Sequence, residues 1–318
     1  MVYYSYFDTV SYIYSYAGDS QAEFEGRCEG ASAVLGEYHR LFDIYYEHAC
    51  VNNLKTINQN AGGEPVKVDR RLIDFLLYAK ELYNTTNGEM NIMMGSVLRL
   101  WHDCREAASE DPANARIPSR EELDSANLHT DISLLEIDEE NQTVRISDAA
   151  ASIDVGALGK GYATEKAAEY LKENGAESYV LNIGGNIRII GHKPDGSGWK
   201  TGIKDPANTG KYATTLMLAD TSCVTSGDYE RFYSVDGKQY HHVIDKDTLM
   251  PSTYFRSVSI ITENSGLADA LSTALFSMSY EDGLDLISKM SINVDVLWIF
   301  PSGEMRMSDG FKSLQSTK

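Results

Sequence analysis

Ile153–Gly191 reads IDVGALGKGYATEKAAEYLKENGAESYVLNIGGNIRIIG. A carboxylate, three glycines and a lysine lead into a helix that runs through Lys172 and is stopped by Asn174-Gly175. The residues after it, SYVLNIGGNIRIIG, read as two strands about a Gly-Gly-Asn turn. A helix followed by a hairpin, rather than by one buried parallel strand, is the pattern that the rest of the chain repeats. Toward the C-terminus, WKTGIKDP, ATTLMLAD, FYSVDG and RSVSIIT are strand-like. Helices over Leu267–Met278 and Tyr280–Lys289 and a last hairpin, DVLWIFPSGEMRM, come next.

Toward the N-terminus, LLEIDEENQTVRIS alternates as a hairpin. A helix is expected over about Met93–Ala107. Another starts at Asp69 and ends before Asn87-Gly88, and a long one is capped by Ser20 and runs to roughly Tyr46. Val2–Tyr16, rich in tyrosine and β-branched residues, reads as one or two strands. The polar stretch 108–127 carries a capping box, SREE at Ser119–Glu122, and is expected to be a solvated surface excursion. Helices and hairpins mix without βαβ alternation, so the fold class is α+β, with antiparallel sheets and packed helices. At 318 residues the chain is expected to form a single domain over 1–318 or two intimate lobes.

Bulk properties exclude more than they assign. A formal charge of −19 and the absence of a basic run argue against nucleic acid or an anionic membrane as the main partner. Cys28, Cys50, Cys104 and Cys223 are scattered, without a CxxC or zinc spacing. No window approaches the ~20 apolar residues of a membrane span, and no signal peptide or lipobox is recognisable in the chain.

Four places carry candidate chemistry. In Asp154–Ala163 the glycines allow close backbone approach, the helix start favours an anion, and Lys160 adds a point charge; helix-start packing explains the same residues. The segment is not a Walker A loop. In ADALSTA, Asp269 and Thr273 lie at i and i+4 on one helical face, where their oxygens can converge on a hard cation such as Mg²⁺. An aspartate interacting with a helix dipole accounts for that pattern equally. In HHVIDKDTLMP, tandem histidines on a strand point to opposite faces, so one of them can serve a given pocket as a base. Tyr45, in FDIYYEHA, offers an aromatic face to a planar ring, as any of the chain's 20 tyrosines does.

Taken in order, FDTV, FDIYY…INQNAG, MNIMMGSVLRLW, IDVGALGKGYA, VLNIGGNI, TSGDYERF, HHVID and LADALSTALF resemble the ApbE family of flavin transferases, from about Tyr6 to Met307. The resemblance implies a T-fold-like α+β architecture and a Mg²⁺-dependent FAD:protein FMN transferase. Such an enzyme cleaves the FAD pyrophosphate, releases AMP and joins FMN through a phosphoester to a threonine or serine of an acceptor protein. It implies Asp269, Thr273 and the carbonyl of Ala157 as metal ligands, and His242 as the catalytic residue. Tyr45, Glu89, Met90, Asn91, Asp154, Lys160 and Ile244 are implied as FAD contacts. It also implies an extracytoplasmic location, with a lipid anchor outside this sequence.

The chain departs from the family pattern at Phe7-Asp8-Thr9, at Lys246 in place of proline and at Leu249 in place of glycine. The last two predict a differently conformed loop after His242. No DGxTGAT-like acceptor motif is found, which argues against self-flavinylation. The competing functions are an FAD pyrophosphatase with water as acceptor and a non-catalytic flavin-binding protein; retention of Asp269, Thr273 and His242 favours catalysis.

Overall fold

The computed structural model describes residues 2–16 and 18–316, with side chains from residue 6 onward. The chain opens with strands β1 (Val2–Tyr6) and β2 (Thr9–Ser15) and helix α1 (Gln21–Phe42). Helix α2 (Leu54–Gln59), strand β3 (Val66–Lys67) and helices α3 (Arg70–Thr85), α4 (Gly95–Glu110) and α5 (Arg120–Asn127) follow. Hairpin β4 (Leu135–Asp138) and β5 (Thr143–Ile146) precedes α6 (Gly159–Glu173). Strands β6 (Tyr179–Ile183), β7 (Asn186–Ile190), β8 (Trp199–Asp205), β9 (Asn208–Leu218) and β10 (Ser222–Gly227) come next. Strands β11 (Phe232–Val235), β12 (Lys238–His241) and β13 (Ser257–Thr262) lead to α7 (Ser265–Phe276) and α8 (Tyr280–Ser288). The chain finishes with β14 (Asp295–Ile299), β15 (Met305–Met307) and α9 (Asp309–Ser313).

Two compact units share this order. One comprises Met1–His39, Ala157–Gly227 and Tyr254–Lys318, and the other comprises Arg40–Gly156 and Asp228–Thr253. The first holds an eight-stranded sheet in the order β1-β2-β6-β7-β10-β13-β14-β15, with every neighbouring pair antiparallel. Every residue of β13 and β14 is buried, as in a sheet covered on both faces. One face packs Val180, Ile189, Cys223, Ile261, Leu297 and Ile299 against Trp199, Ile203, Leu216 and Leu218 of the β8–β9 hairpin and Phe311 of α9. Helices α6, α7 and α8 cover the other. Helix α7 is buried at eleven of its twelve residues, because ALF and ALST leave it apolar all round.

The second unit has a three-stranded sheet, β3-β5-β4, and the β11–β12 hairpin. Its core is built on the α4 stripe Val97, Trp101, Cys104 and Ala108, which meets Leu123, Tyr233 and Leu249. Stretch 108–127 is mostly exposed, yet Ala108 and Leu123 in it are 7% and 1% exposed and belong to this core. The capping box at Ser119–Glu122 forms as expected.

Several boundaries move for local reasons. Helix α1 stops at Phe42 rather than near Tyr46, because the Asp43 carboxylate accepts the amides of Tyr45 and Tyr46 at 2.8 and 2.9 Å and turns the chain. Val2–Tyr16 is two strands; Phe7 and Asp8 take left-handed φ of 54° and 53° to form the hairpin turn. The Gly184-Gly185 turn uses φ of 57° and 95°, conformations open to glycine at no cost.

Candidate active site

Within the first unit, α6 begins without a side-chain cap of its own, since Leu158 occupies the N-cap. The Gly161 amide, in that first turn, instead donates to Asp269 Oδ2 of α7 at 2.8 Å. Asp269 is 5% exposed, and burial pushes its carboxyl above the usual range against the pull of Lys160 and the Gly161 amide. Among the described residues Asp269 has no ion pair, so its charge is only partly answered. Asn186 of β7 lies beside the same carboxylate, 4% exposed, with its Nδ2 lacking a well-formed hydrogen bond. Thr273, one helical turn beyond Asp269, has its Oγ1 3.4 Å from Ser226 Oγ of β10. Ser226 also meets Ser272 Oγ at 2.8 Å, which ties this turn of α7 to the sheet. Ala157 and Lys160, both half-buried, flank the start of α6. Four of the expected residues, Ala157, Lys160, Asp269 and Thr273, therefore belong to this unit.

The second unit holds the others. The Ile153 backbone is clamped by the Asn58 amide, which donates to Ile153 O at 2.9 Å and accepts from Ile153 N at 2.8 Å. Asp154 N donates to Ile92 O at 2.8 Å, so the segment with Asp154 runs along the one with Glu89, Met90 and Asn91. Burial raises the Asp154 carboxyl, while the Gly156 amide at 2.8 Å and the charges of His102, Arg231 and Arg105 draw it back. Tyr45, 49% exposed, sets its ring 5.4 Å from that of His102, whose Nδ1 accepts from Arg105 at 2.9 Å. Met90 is buried. The Asn91 amide is committed at both ends, donating to Thr130 O and accepting from Met93 N, each at 2.9 Å. Glu89 is pushed up to about 7, chiefly by burial, even with Lys246 Nζ at 3.3 Å.

Strand β12 ends at His241, so His242 lies just beyond it and strand alternation does not set the two rings apart. His241 donates from Nε2 to Ser252 O at 2.8 Å and accepts the Val243 amide on Nδ1 at 3.2 Å, and burial lowers its pKa. Both of its nitrogens serve the fold. His242 meets the Arg231 carbonyl through its amide at 3.1 Å and through Nδ1 at 3.2 Å. A carbonyl only accepts, so Nδ1 carries the proton and Nε2 is the basic nitrogen.

The loop after His242 departs less from the glycine pattern than Leu249 suggests. Leu249 takes a φ of 61°, the conformation a glycine would supply, with its side chain 1% exposed and its carbonyl accepting from Trp101 Nε1 at 3.0 Å. Asp245 Oδ1 accepts the amides of Asp247 and Thr248 at 2.8 and 2.9 Å, and Ile244 bridges Pro251. Sequence reading missed Asn186, Ser226, His102, Arg105 and Arg231. Asn186 and Ser226 lie on strands whose neighbours are set by tertiary pairing, Arg231 lies just before β11, and the i, i+3 pair His102 and Arg105 on α4 could have been read from helical spacing.

The ApbE family profile matches residues 9–298. The chain belongs to the ApbE family. It is 35% identical over 269 residues to the FAD:protein FMN transferase of Treponema pallidum, spanning 81% of this chain and 73% of that protein. It is 26% identical over 308 residues to the FAD:protein FMN transferase of Haemophilus influenzae, spanning 95% and 87% of the two chains. The ApbE protein of Thermotoga maritima superposes with a TM-score of 0.87 at 28% identity, over 99% of both chains. The flavin transferase ApbE of Vibrio cholerae shares the fold, with a TM-score of 0.80 at 24% identity over 98% of both chains. The α+β fold expected from the hairpins is thus the ApbE fold.

Proposed function

We infer that this ApbE-family chain is an FAD:protein FMN transferase that acts with Mg²⁺ on a threonine or serine of an acceptor protein. The carrying observation is the family match over residues 9–298, joined to relatives named for that activity along most of their length. The donor set suits the metal. Asp269 is a buried carboxylate answered only in part by Lys160 and the Gly161 amide, Thr273 brings a hydroxyl one turn away, and Ala157 offers a carbonyl at the α6 start. Among the described residues no group of three or more His, Cys, Asp and Glu gathers. A hard cation that keeps waters and phosphate oxygens fits so sparse a set better than zinc does.

Held by Asp269, Thr273 and the Ala157 carbonyl, Mg²⁺ would supply positive charge to the pyrophosphate. Lys160 adds a further positive charge for it at the helix start. His242 Nε2 accepts the proton of the acceptor hydroxyl while Nδ1 stays bonded to the Arg231 carbonyl, which fixes the ring. The hydroxyl oxygen bonds to the FMN-side phosphorus, the bond from that phosphorus to the bridging oxygen breaks, and AMP departs with that oxygen. Tyr45, Glu89, Met90, Asn91, Asp154 and Ile244 are assigned to the flavin nucleotide by their match to the family pattern.

The test is FAD turnover with Mg²⁺, with and without a purified FMN-acceptor domain. AMP release with an acceptor mass gain equal to FMN is expected. AMP with equal free FMN and an unmodified acceptor would make the chain a pyrophosphatase, and bound FAD without AMP a flavin-binding protein. We extend the reading to a lipid-anchored location outside the cytoplasmic membrane, checked by fractionating cells that express the natural protein. Among the described residues no helix is long and apolar enough to cross a membrane.

A further inference from the structure

We infer that Glu165, held in place by Arg188, is a positioning residue for the Asp269 carboxylate. The inference rests on the metal-site reading above and concerns how the site is built. Helices α6 and α7 cap each other. Gly161 of α6 donates its amide to Asp269 of α7 at 2.8 Å, and Ser265 of α7 donates its amide to Glu165 Oε2 of α6 at 2.6 Å. Gly161 and Glu165 are one turn apart on α6, and Ser265 and Asp269 are one turn apart on α7. The two bonds therefore clamp the helices at two levels along one antiparallel seam.

The seam is dry and tight. Glu165, Ser265 and Asp269 are 8%, 0% and 5% exposed. A Cβ on Gly161 would stand 2.4 Å from both Ser265 O and Asp269 Cβ, so the helices meet at glycine distance. The two carboxylates differ in one respect. Glu165 has Arg188 Nε at 3.2 Å from each oxygen, and Arg188, 3% exposed, is further held by the Ile189 carbonyl and by Asp220 at 3.5 Å. Asp269 has no such partner among the described residues. Arg188 thus pairs with Glu165 and leaves it a geometric task, while the Asp269 carboxylate is not in an ion pair among the described residues. Loss of the Glu165 carboxylate would strand a buried amide and a buried guanidinium together, and would free the turn that carries Asp269.

The experiment measures Mn²⁺ binding to the FAD-free protein by electron paramagnetic resonance, with thermal unfolding as the folding control. The variant Glu165→Leu/Arg188→Met removes the clamp and its charge together, leaving an apolar seam. It is expected to stay folded and to bind Mn²⁺ at least tenfold more weakly. Glu165→Gln/Arg188→Met keeps an oxygen acceptor for the Ser265 amide and is expected to bind within about threefold of the parent. Asp269→Asn is expected to abolish binding. If Asp269→Asn abolishes binding but both double variants bind like the parent, the positioning role is overturned while the metal site stands. Equal weakening of the two double variants also overturns it, because the amide bond would then not matter. Undiminished binding by Asp269→Asn would overturn the metal reading itself, and the inference with it.

Discussion

His241 and His242 are adjacent, yet the His241 ring bonds Ser252 O and the Val243 amide through its two nitrogens, whereas the His242 ring meets the Arg231 carbonyl through Nδ1. His242→Ala is therefore expected to leave FAD affinity intact and to slow FMN transfer by about 10²–10⁴-fold, read as acceptor mass gain against time. His241→Ala should instead lower the unfolding temperature. Asp269→Ala is expected to abolish metal-dependent AMP release; it also removes the α6 cap, a loss of about 1 kcal/mol that unfolding measurements resolve separately.

Glu89 gives a pH signature. Its ordinary value of 4.5 rises to about 7 in the folded chain, mainly through burial. Its contribution to stability is therefore full below pH 4.5 and is lost as the pH rises through about 7. The swing is on the order of 3 kcal/mol, to be read as the difference in pH dependence between the parent and Glu89→Gln in urea unfolding. At this scale the sequence spoke unevenly. Asp269 and Thr273 could be paired from helical spacing alone, whereas Arg188 and Glu165, 23 positions apart on a strand and a helix, give no local sign of meeting.

Elements were easier to read than their contacts. The helix starts at Ser20, Asp69 and Ser119, the β4–β5 and β6–β7 hairpins and helix α7 follow from capping and periodicity. Strand β10 was missed because TSCVTS lacks a strong alternation and gains its place between β7 and β13 only from pairing. Helix α5 reads as surface in sequence because one apolar residue, Leu123, carries all of its burial.

The Leu249 turn shows two element-scale effects in opposition. Leu249→Gly would relieve a left-handed leucine, worth about 1–2 kcal/mol, but would empty a buried site, costing about 2–5 kcal/mol. The expected net is a loss of up to about 4 kcal/mol, measured by denaturant unfolding. Gly161→Ala, which inserts a methyl into the α6–α7 seam, should lower stability by about 1–3 kcal/mol and reduce FAD turnover in the folded fraction.

Across the whole molecule, a charge of −19 acts against compactness through self-repulsion. The unfolding temperature is expected to rise as ionic strength goes from about 0.01 M to about 0.15 M and the screening length falls from about 30 to about 8 Å. A calorimetric scan without divalent ions checks it; no change would mean that the acidic charge is locally compensated. The division into units was not readable from composition, because no proline- or serine-rich linker marks it and each unit is assembled from separate segments. The interleaving also bears on biosynthesis. Strand β2 pairs with β6 across more than 160 positions, and the same sheet is completed only by β13, β14 and β15 near the end of the chain. As the polypeptide leaves the ribosome, its N-terminal hairpin must wait with its inner edge unpaired while most of the protein is made. Refolding is accordingly expected to be slow and concentration-sensitive, and a chaperone that shields β2 should raise the yield more than one that acts on the finished fold.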